Sequence, residues 1–223
     1  MTKPFNKRGL LVALCGLDGA GKTTQLERIT TKLAATRNIY KTKQPTDWFR
    51  EMELVQNFKN LLGDQSELLL AELALLSATD RLRHHRLEVE PELAKGNLVL
   101  TDRHIVSTFT SFLASGFTDV EWLRSINRYS LIPDLVVFID VPPETVIARV
   151  KTRTEIKKQE IDLDLVIKTR QAFLDRPWGD DLIPNYHVVD GTAHPDEVEK
   201  NILALIDQAE ARSAPASMHE MVN

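Results

Sequence analysis

The segment that most constrains the fold lies close to the N-terminus, where a short apolar run is followed directly by a cluster of glycines. Residues 10–15 read LLVALC, and residues 16–23 read GLDGAGKT, which matches the pattern G-x-x-x-x-G-K-[ST]. Such a segment joins a buried strand to a helix and wraps its backbone N–H groups around phosphate oxygens. We therefore predict a strand over 9–15, a phosphate-binding loop over 16–23 and a helix over 22–36.

Each residue type in this loop has a chemical role. The glycines let the backbone curl, the Lys22 ammonium reaches the β- and γ-phosphates, and the Thr23 hydroxyl ligates Mg²⁺. The sequence therefore predicts a nucleoside triphosphate and Mg²⁺ as ligands. The residues predicted to bind the triphosphate are Gly16, Asp18, Gly19, Ala20, Gly21, Lys22, Thr23 and Thr24.

Strand-like and helix-like segments alternate along the rest of the 223 residues. Further strands are predicted at 38–43, 97–101, 135–141 and 186–190. Further helices are predicted at 47–62, 65–89, 104–115, 119–130, 142–150, 161–175 and 195–211. The helix over 65–89 is expected to begin at an Asp64 cap and to end near Pro91.

This order of elements predicts the α/β class. We expect a P-loop NTPase fold, in which a five-stranded parallel sheet carries helices on both faces. A single domain is expected over 1–211, with a short basic lid at about 151–160 and a flexible tail over 212–223.

Composition excludes several classes of protein. Lys and Arg number 28 against 32 Asp and Glu, so the chain lacks the basic surplus of a nucleic-acid-binding protein. The single cysteine, Cys15, excludes an internal disulfide framework and a zinc site built from cysteines. No apolar run approaches the roughly 18 residues that span a bilayer, and residues 1–15 are a poor signal peptide. We therefore expect neither a nucleic-acid nor a membrane partner.

The remaining motifs indicate a kinase for a small molecule. No N/T-K-x-D guanine motif of a GTPase is present, and the chain is short for a motor or a large ATPase. Asp102 and Arg103 follow the third strand, where a carboxylate can hold Mg²⁺ and an arginine can bind a phosphate through two hydrogen bonds. Lys43 and Pro45 end the second strand at the same rim, where ligands bind in open α/β sheets.

The acceptor group decides the chemistry, and the residues leave two alternatives. A phosphate monoester is already an anionic nucleophile and needs no base, whereas a hydroxyl needs Asp102 as a general base. The cations that favour a phosphate acceptor are Lys43, Arg81, Arg103 and, in the lid, Lys151, Arg153, Lys157 and Lys158. A protein that binds nucleotides without catalysis is a third possibility, which the intact loop and Asp102–Arg103 oppose.

The combined pattern, from about Gly9 to Ile206, resembles the thymidylate kinase family of nucleoside monophosphate kinases. Its carriers are residues 16–25 (GLDGAGKTTQ), 42–45 (TKQP), 78–81 (ATDR), 102–104 (DRH) with Ser107, 133–135 (PDL) and 138–144 (FIDVPPE). The resemblance implies ATP-dependent phosphorylation of dTMP to dTDP by a cytoplasmic homodimer, with Mg²⁺ held by Thr23 and Asp102.

The resemblance also implies roles for individual residues. Lys22 would bind the ATP phosphates, and Asp18 would approach the sugar of the acceptor. Arg103 would hold the acceptor phosphate, and Arg81 would face the acceptor base.

The catalytic arginine is expected in the lid, because position 19 of the loop is a glycine. Arg153 is the choice there, with Lys157 and Lys158 in reserve. The predicted catalytic set is Lys22, Asp102, Arg103 and Arg153.

The sequence departs from the family pattern near the acceptor base. Ser77 stands where the family has an aromatic residue that stacks on thymine, and residues 110–112 read TSF where the family usually has AYQ. Trp48, Phe49 or Phe112 could supply the stack, or could be core residues instead. The change leaves open another nucleotide or phosphorylated metabolite as acceptor. The predicted acceptor site comprises Asp18, Lys43, Pro45, Ser77, Arg81, Arg103, Ser107, Ser111 and Phe112.

Overall fold

The computed structural model describes residues 8–60, 66–154, 156 and 158–213, and its centre is a sheet of five parallel strands. The strands are β1 (Leu11–Cys15), β2 (Ile39–Lys43), β3 (Leu98–Asp102), β4 (Leu135–Asp140) and β5 (Tyr186–Asp190). Their order across the sheet is β2-β3-β1-β4-β5, and every neighbouring pair is parallel. The predicted fold class and all five predicted strands are confirmed.

The strand register brings the predicted site residues to one edge of the sheet. Leu14 of β1 pairs with Asp102 of β3, and Lys43 of β2 pairs with the same Asp102. Because the carboxyl ends of parallel strands meet at a common edge, the loop after β1 lies beside the segments after β2 and β3.

Helices cover both faces of the sheet. They are α1 (Lys22–Leu33), α2 (Asp47–Arg50), α3 (Glu53–Asn60), α4 (Glu67–His84), α5 (Glu90–Ala94), α6 (Ile105–Ala114), α7 (Val120–Ile126), α8 (Pro143–Val150), α9 (Lys158–Ile161), α10 (Leu163–Asp175) and α11 (Pro195–Ser213). Within the described part of the chain, no helix is both long and apolar enough to cross a membrane.

Alternation along the buried strands creates a separate core on each face. Val12 and Leu14 of β1 pack in one cluster with Ile29 of α1 and residues of α11. Ala13 and Cys15 point to the other face and pack in the cluster of α4, α6 and α10. Successive strand side chains point to opposite faces, so one apolar strand supplies both cores.

Several predicted helix limits are wrong. The expected helix over 47–62 is two short helices, α2 and α3, and α7 ends at Ile126 rather than near residue 130. The cap of α4 is Ser66, whose hydroxyl accepts a 3.3 Å hydrogen bond from the Leu69 N–H. The cap predicted at Asp64 lies outside the described residues. Helix α11 continues to Ser213, and the remainder of the predicted tail also lies outside the description.

The helix that was expected to end near Pro91 continues past it to Ala94. A π-helical turn, His85–Val89, separates α4 from α5, and Pro91 lies in the first turn of α5. Proline is tolerated in a first turn because its missing N–H needs no partner there. The change of hydrogen-bond pattern therefore lets the helical path continue through Pro91.

Candidate active site

The loop over 16–23 closes tightly on β4 and α8, and glycine is required at two of its positions. Gly16 has a φ of +151°, and an added Cβ atom would lie 2.8 Å from the Ile139 carbonyl oxygen. Gly19 has a φ of +90°, and an added Cβ atom would lie 2.8 Å from the Val146 carbonyl oxygen. Because both contacts are with backbone atoms, larger residues would push the loop away from the sheet.

Lys22 is buried at the start of α1. Its ammonium group donates a 2.8 Å hydrogen bond to the Leu17 carbonyl oxygen and lies 3.8 Å from Asp18 Oδ1. Burial, with a contribution from the nearby Arg103 charge, lowers the pKa of Lys22 to about 8. The loop therefore holds a buried cation, an environment that a polyphosphate would neutralise.

Thr23 and Asp102 provide a pair of oxygen donors at the start of α1. Thr23 Oγ1 donates a 3.3 Å hydrogen bond to Asp102 Oδ2. The other carboxylate oxygen, Asp102 Oδ1, is buried and has no hydrogen-bond partner among the described residues. No group of three or more His, Cys, Asp or Glu side chains in those residues could hold a metal by itself. A hydroxyl and a carboxylate suit Mg²⁺, which takes few protein ligands and completes its shell with phosphates and water.

Arg103 points from the end of β3 toward the phosphate-binding loop. Its Nη2 atom lies 2.6 Å from Asp18 Oδ1, and its backbone has a φ of +67°. Burial by itself would lower the pKa of Arg103, but the carboxylates of Asp18 and Asp102 raise it above its ordinary value. The guanidinium is therefore charged. Its Nη2 atom is held by the Asp18 carboxylate, at the position where the acceptor phosphate is predicted to bind.

One cleft of about 1360 Å³ connects nearly all the predicted site residues. The predicted residues that line it are Asp18, Gly19, Ala20, Gly21, Lys22, Thr23, Thr24, Lys43, Pro45, Ser77, Asp102, Arg103, Ser107, Ser111, Phe112 and Arg153. Gly16 and Arg81 do not line it. Gly16, the first residue of the loop, packs against β4 instead.

Arg81 was expected to face the acceptor base, but the structure places its guanidinium behind the cleft wall. Its Nη1 atom donates a 2.6 Å hydrogen bond to Asn127 Oδ1, and its Nη2 atom donates to Thr108 Oγ1. Thr108 itself lines the cleft, and its hydroxyl is also 3.5 Å from Ser77 Oγ. Burial lowers the pKa of Arg81 to about 10, because little water remains to solvate its charge.

Two of the three candidate stacking residues line the acceptor end of the cleft. Phe49 and Phe112 are part of the cleft wall, whereas Trp48 is 40% exposed and lies under the guanidinium of Arg83. The Ser77, Thr108 and Ser111 hydroxyls complete this end. The acceptor end therefore combines two aromatic rings with a group of hydroxyls.

An arginine just before the lid also lines the cleft, and the sequence prediction leaves it out. Arg149, near the end of α8, donates a 3.3 Å hydrogen bond to the Gly19 carbonyl oxygen and lines the cleft. Arg153, the predicted choice, lies 3.7 Å from Glu160 Oε1. The sequence signal for Arg149 was its position two residues before the predicted lid, at the end of the predicted helix over 142–150. Of the reserve lysines, Lys157 lies outside the described residues, and Lys158 is the first residue of α9.

Comparisons with known proteins agree with this arrangement. A family model described as thymidylate kinase matches residues 14–202. A probable thymidylate kinase of Pyrococcus abyssi is 33% identical over 205 residues, which cover 89% of this chain and 96% of that protein. A thymidylate kinase of Xanthomonas oryzae pv. oryzae is 31% identical over 224 residues, which cover 97% of this chain and 93% of that protein. The matched range includes the loop, the segment after β3 and the lid.

Proposed function

The chain belongs to the thymidylate kinase family, and we propose that it carries out the ATP-dependent phosphorylation of dTMP to dTDP in the cleft described above. The triphosphate of ATP binds the loop over 16–23, and dTMP binds between the ends of β2 and β3 and the first turns of α6. The observation that carries this proposal is that Lys22 and Arg103 both approach Asp18. The three side chains lie where the phosphate-binding loop meets the segment after β3, between the triphosphate half and the acceptor half of the cleft.

The chemistry of the transfer needs charge neutralisation more than proton transfer. The phosphate oxygen of dTMP is an anionic nucleophile, so Asp102 need not act as a base. Lys22 and the N–H groups of the loop bind the ATP phosphates, where negative charge is concentrated during the transfer. Arg103 exchanges Asp18 for the acceptor phosphate and so holds the nucleophile in line with the γ-phosphorus atom.

Mg²⁺ is the cation that Thr23 and Asp102 would hold. The unpartnered Oδ1 of Asp102 and the hydroxyl of Thr23 give it two protein oxygens beside Lys22. When bound, the ion would neutralise charge on the β- and γ-phosphate oxygens. Asp102 would then act as a metal ligand rather than as a general base.

The lid supplies the arginine that the loop lacks. Arg153 is the proposed catalytic arginine, and Arg149, four residues earlier, holds the loop through the Gly19 carbonyl oxygen. Both side chains line the cleft. Closure of the lid would exclude water from the phosphates, which strengthens every charge interaction there.

The base of dTMP binds at the far end of the cleft. Phe49 and Phe112 provide apolar ring faces for it, and Ser77, Thr108 and Ser111 provide hydroxyls for its polar edge. Lys43 and Pro45 line the cleft at the end of β2, nearer the phosphate.

Substitution of Arg103 tests the assignment of the cleft. For Arg103→Met, kcat/KM for dTMP is expected to fall about 100- to 1000-fold, while KM for ATP stays within about threefold. Arg128→Met, at an exposed arginine outside the cleft, is the matched control. Steady-state kinetics with each substrate varied in turn separates the two effects. Turnover of dTMP by Arg103→Met at the wild-type rate would show that the acceptor binds elsewhere.

We further propose that the protein is a homodimer that associates through α4. Leu68, Leu75 and Leu82 recur every seven residues along this helix and are 82%, 49% and 37% exposed. This spacing puts all three on one helical face, which a second copy can cover symmetrically. Light scattering should give twice the chain mass of 25.3 kDa, and Leu75→Glu should reduce it to that of one chain. A wild-type protein that is monomeric at micromolar concentration would contradict this proposal.

A cytoplasmic location, with nucleotides as the partners besides a second copy, completes the proposal. The formal net charge of −4 supports the absence of a nucleic-acid partner. The single cysteine, Cys15, allows no internal disulfide framework, which supports the location. Cell fractionation with a tagged full chain tests the location.

A further inference from the structure

Two adjacent histidines at the end of α4 are almost completely buried and contact the ends of two different strands. His84 is 1% exposed and His85 is 3% exposed. The Nε2 atom of His84 lies 2.7 Å from Thr42 Oγ1, and its Nδ1 atom lies 2.9 Å from Gln44 Nε2. His84 therefore holds the end of β2.

His85 holds the segment that follows β3. Its Nδ1 atom accepts a 3.1 Å hydrogen bond from the Leu131 N–H, and its Nε2 atom lies 3.0 Å from Nε2 of the buried His104. Because a backbone N–H can only donate, Nδ1 of His85 carries the lone pair and Nε2 carries the proton. Nε2 of His85 is therefore the donor, and Nε2 of His104 is the acceptor. Burial keeps this arrangement neutral by lowering the pKa of His85 to about 3.

The helix departs from regular geometry where these two side chains diverge. The π-helical turn begins at His85, the second of the pair. Such turns are rare, and they frequently lie at functional sites. The turn changes the directions of the side chains after His84 from those of a continuous α-helix. At this turn, the adjacent His84 and His85 reach the ends of two neighbouring strands, β2 and β3.

Both of those strand ends border the acceptor half of the cleft. The Gln44 N–H donates a 2.9 Å hydrogen bond to the Asp102 carbonyl oxygen, so the segments after β2 and β3 are joined to each other. Arg103 has a φ of +67°, in the left-handed region that few non-glycine residues occupy. His104 is the next residue, and its ring is the part of this segment that His85 holds.

We propose that His84 and His85 are positioning residues for the acceptor phosphate site, and that His85 acts on Arg103 through His104. The inference rests on the proposed role of Arg103 in binding the phosphate of dTMP. The phosphate-binding loop is held instead by β4 and α8, which its glycines contact at Ile139 and Val146. Loss of the histidine contacts should therefore affect dTMP more than ATP.

Two substitutions of His85 separate its two hydrogen bonds. His85→Gln keeps a donor near the Nε2 position, for His104, whereas His85→Asn keeps an acceptor near the Nδ1 position, for the Leu131 N–H. Because a lost buried hydrogen bond has a substantial effect, KM for dTMP should rise about tenfold in His85→Asn but at most about threefold in His85→Gln. KM for ATP should stay within about twofold in both. The control is Arg86→Ala, at the exposed next residue.

Equal KM values for dTMP in the Gln and Asn variants, or a parallel rise in KM for ATP, would overturn the inference. If a His85 variant fails to fold, Thr42→Val removes the partner of His84 Nε2 at an edge strand. A rise of about threefold in KM for dTMP is then expected, and an unchanged KM would refute the role of His84. Arg103→Met is measured alongside. If Arg103→Met keeps the wild-type KM for dTMP, the proposed function fails. If Arg103→Met raises that KM but the histidine variants leave it unchanged, this inference alone fails.

Discussion

Replacement of Lys22 by methionine is expected to abolish phosphoryl transfer and also to stabilise the ligand-free protein. The transfer is lost because the ammonium that binds the ATP phosphates is gone. The stabilisation arises because Lys22 is 6% exposed and its charge is poorly solvated in the folded chain. Methionine has nearly the same length and carries no charge.

The size of the stabilisation follows from the pKa of Lys22. Burial lowers that pKa from an ordinary 10.5 to about 8. At about 1.4 kcal/mol for each pH unit, the charged folded form costs about 3 kcal/mol at pH 7. The hydrogen bond to Leu17 offsets about 1 kcal/mol of this, which leaves a net gain of about 2 kcal/mol. For a chain of this length, the melting temperature should rise by about 4 to 8 °C.

The pH dependence provides the decisive check. Between pH 8 and 10.5, the unfolded chain keeps the Lys22 proton while the folded chain has lost it, so wild-type stability rises with pH across this window. The advantage of Lys22→Met is therefore complete below pH 8 and disappears toward pH 10.5. Denaturant unfolding of the ligand-free proteins at pH 7 and at pH 10 measures it, with Lys200→Met, at an exposed lysine, as the control. A variant that is less stable at pH 7, or whose advantage does not change with pH, would refute this reasoning.

Further predictions concern the same charges and the wall behind them. In the wild-type protein, kcat/KM for ATP should fall as pH rises through about 8, because Lys22 of the free enzyme then loses its charge; a profile that is flat from pH 7 to 9.5 would contradict this. Asp102→Asn should raise the Mg²⁺ concentration for half-maximal activity about tenfold or more, as measured by metal titration at saturating substrates. Asn127→Leu removes an acceptor of the buried Arg81, so the free energy of unfolding should fall by about 2 kcal/mol in chemical denaturation, and an unchanged value would contradict this.

Much of the site could be predicted because parallel strands impose a simple geometry. The alternation of strand-like and helix-like segments predicted the five strands, and the residues after each strand had to meet at one edge of the sheet. Lys43, Asp102 and the loop over 16–23 could therefore be grouped before the structure was known. The family resemblance is confirmed by the comparisons.

The errors arose where a side chain's depth or partner depends on distant parts of the chain. Helical spacing placed Arg81 on the same face as Ser77, but α7 supplies Asn127 and α6 supplies Thr108, which together hold the guanidinium behind the wall. The predicted lid begins at residue 151, after the helix that contains Arg149, and so leaves this arginine out. Local periodicity gives a direction around a helix axis and contains no information about which residues pack there.

The sequence by itself determined the phosphate-binding loop, because only glycines permit its close contacts with β4 and α8, and only a lysine and a hydroxyl serve its chemistry. It also determined the three central strands, since burial on both faces requires short, continuous apolar runs. The tertiary structure decided how the acceptor site is held. His84 contacts Thr42, 42 positions away, and His85 contacts His104, 19 positions away. The π-helical turn and the positive φ of Arg103 lie beside these contacts. Such contacts form only when the whole sheet is assembled, so no local pattern in the sequence encodes them.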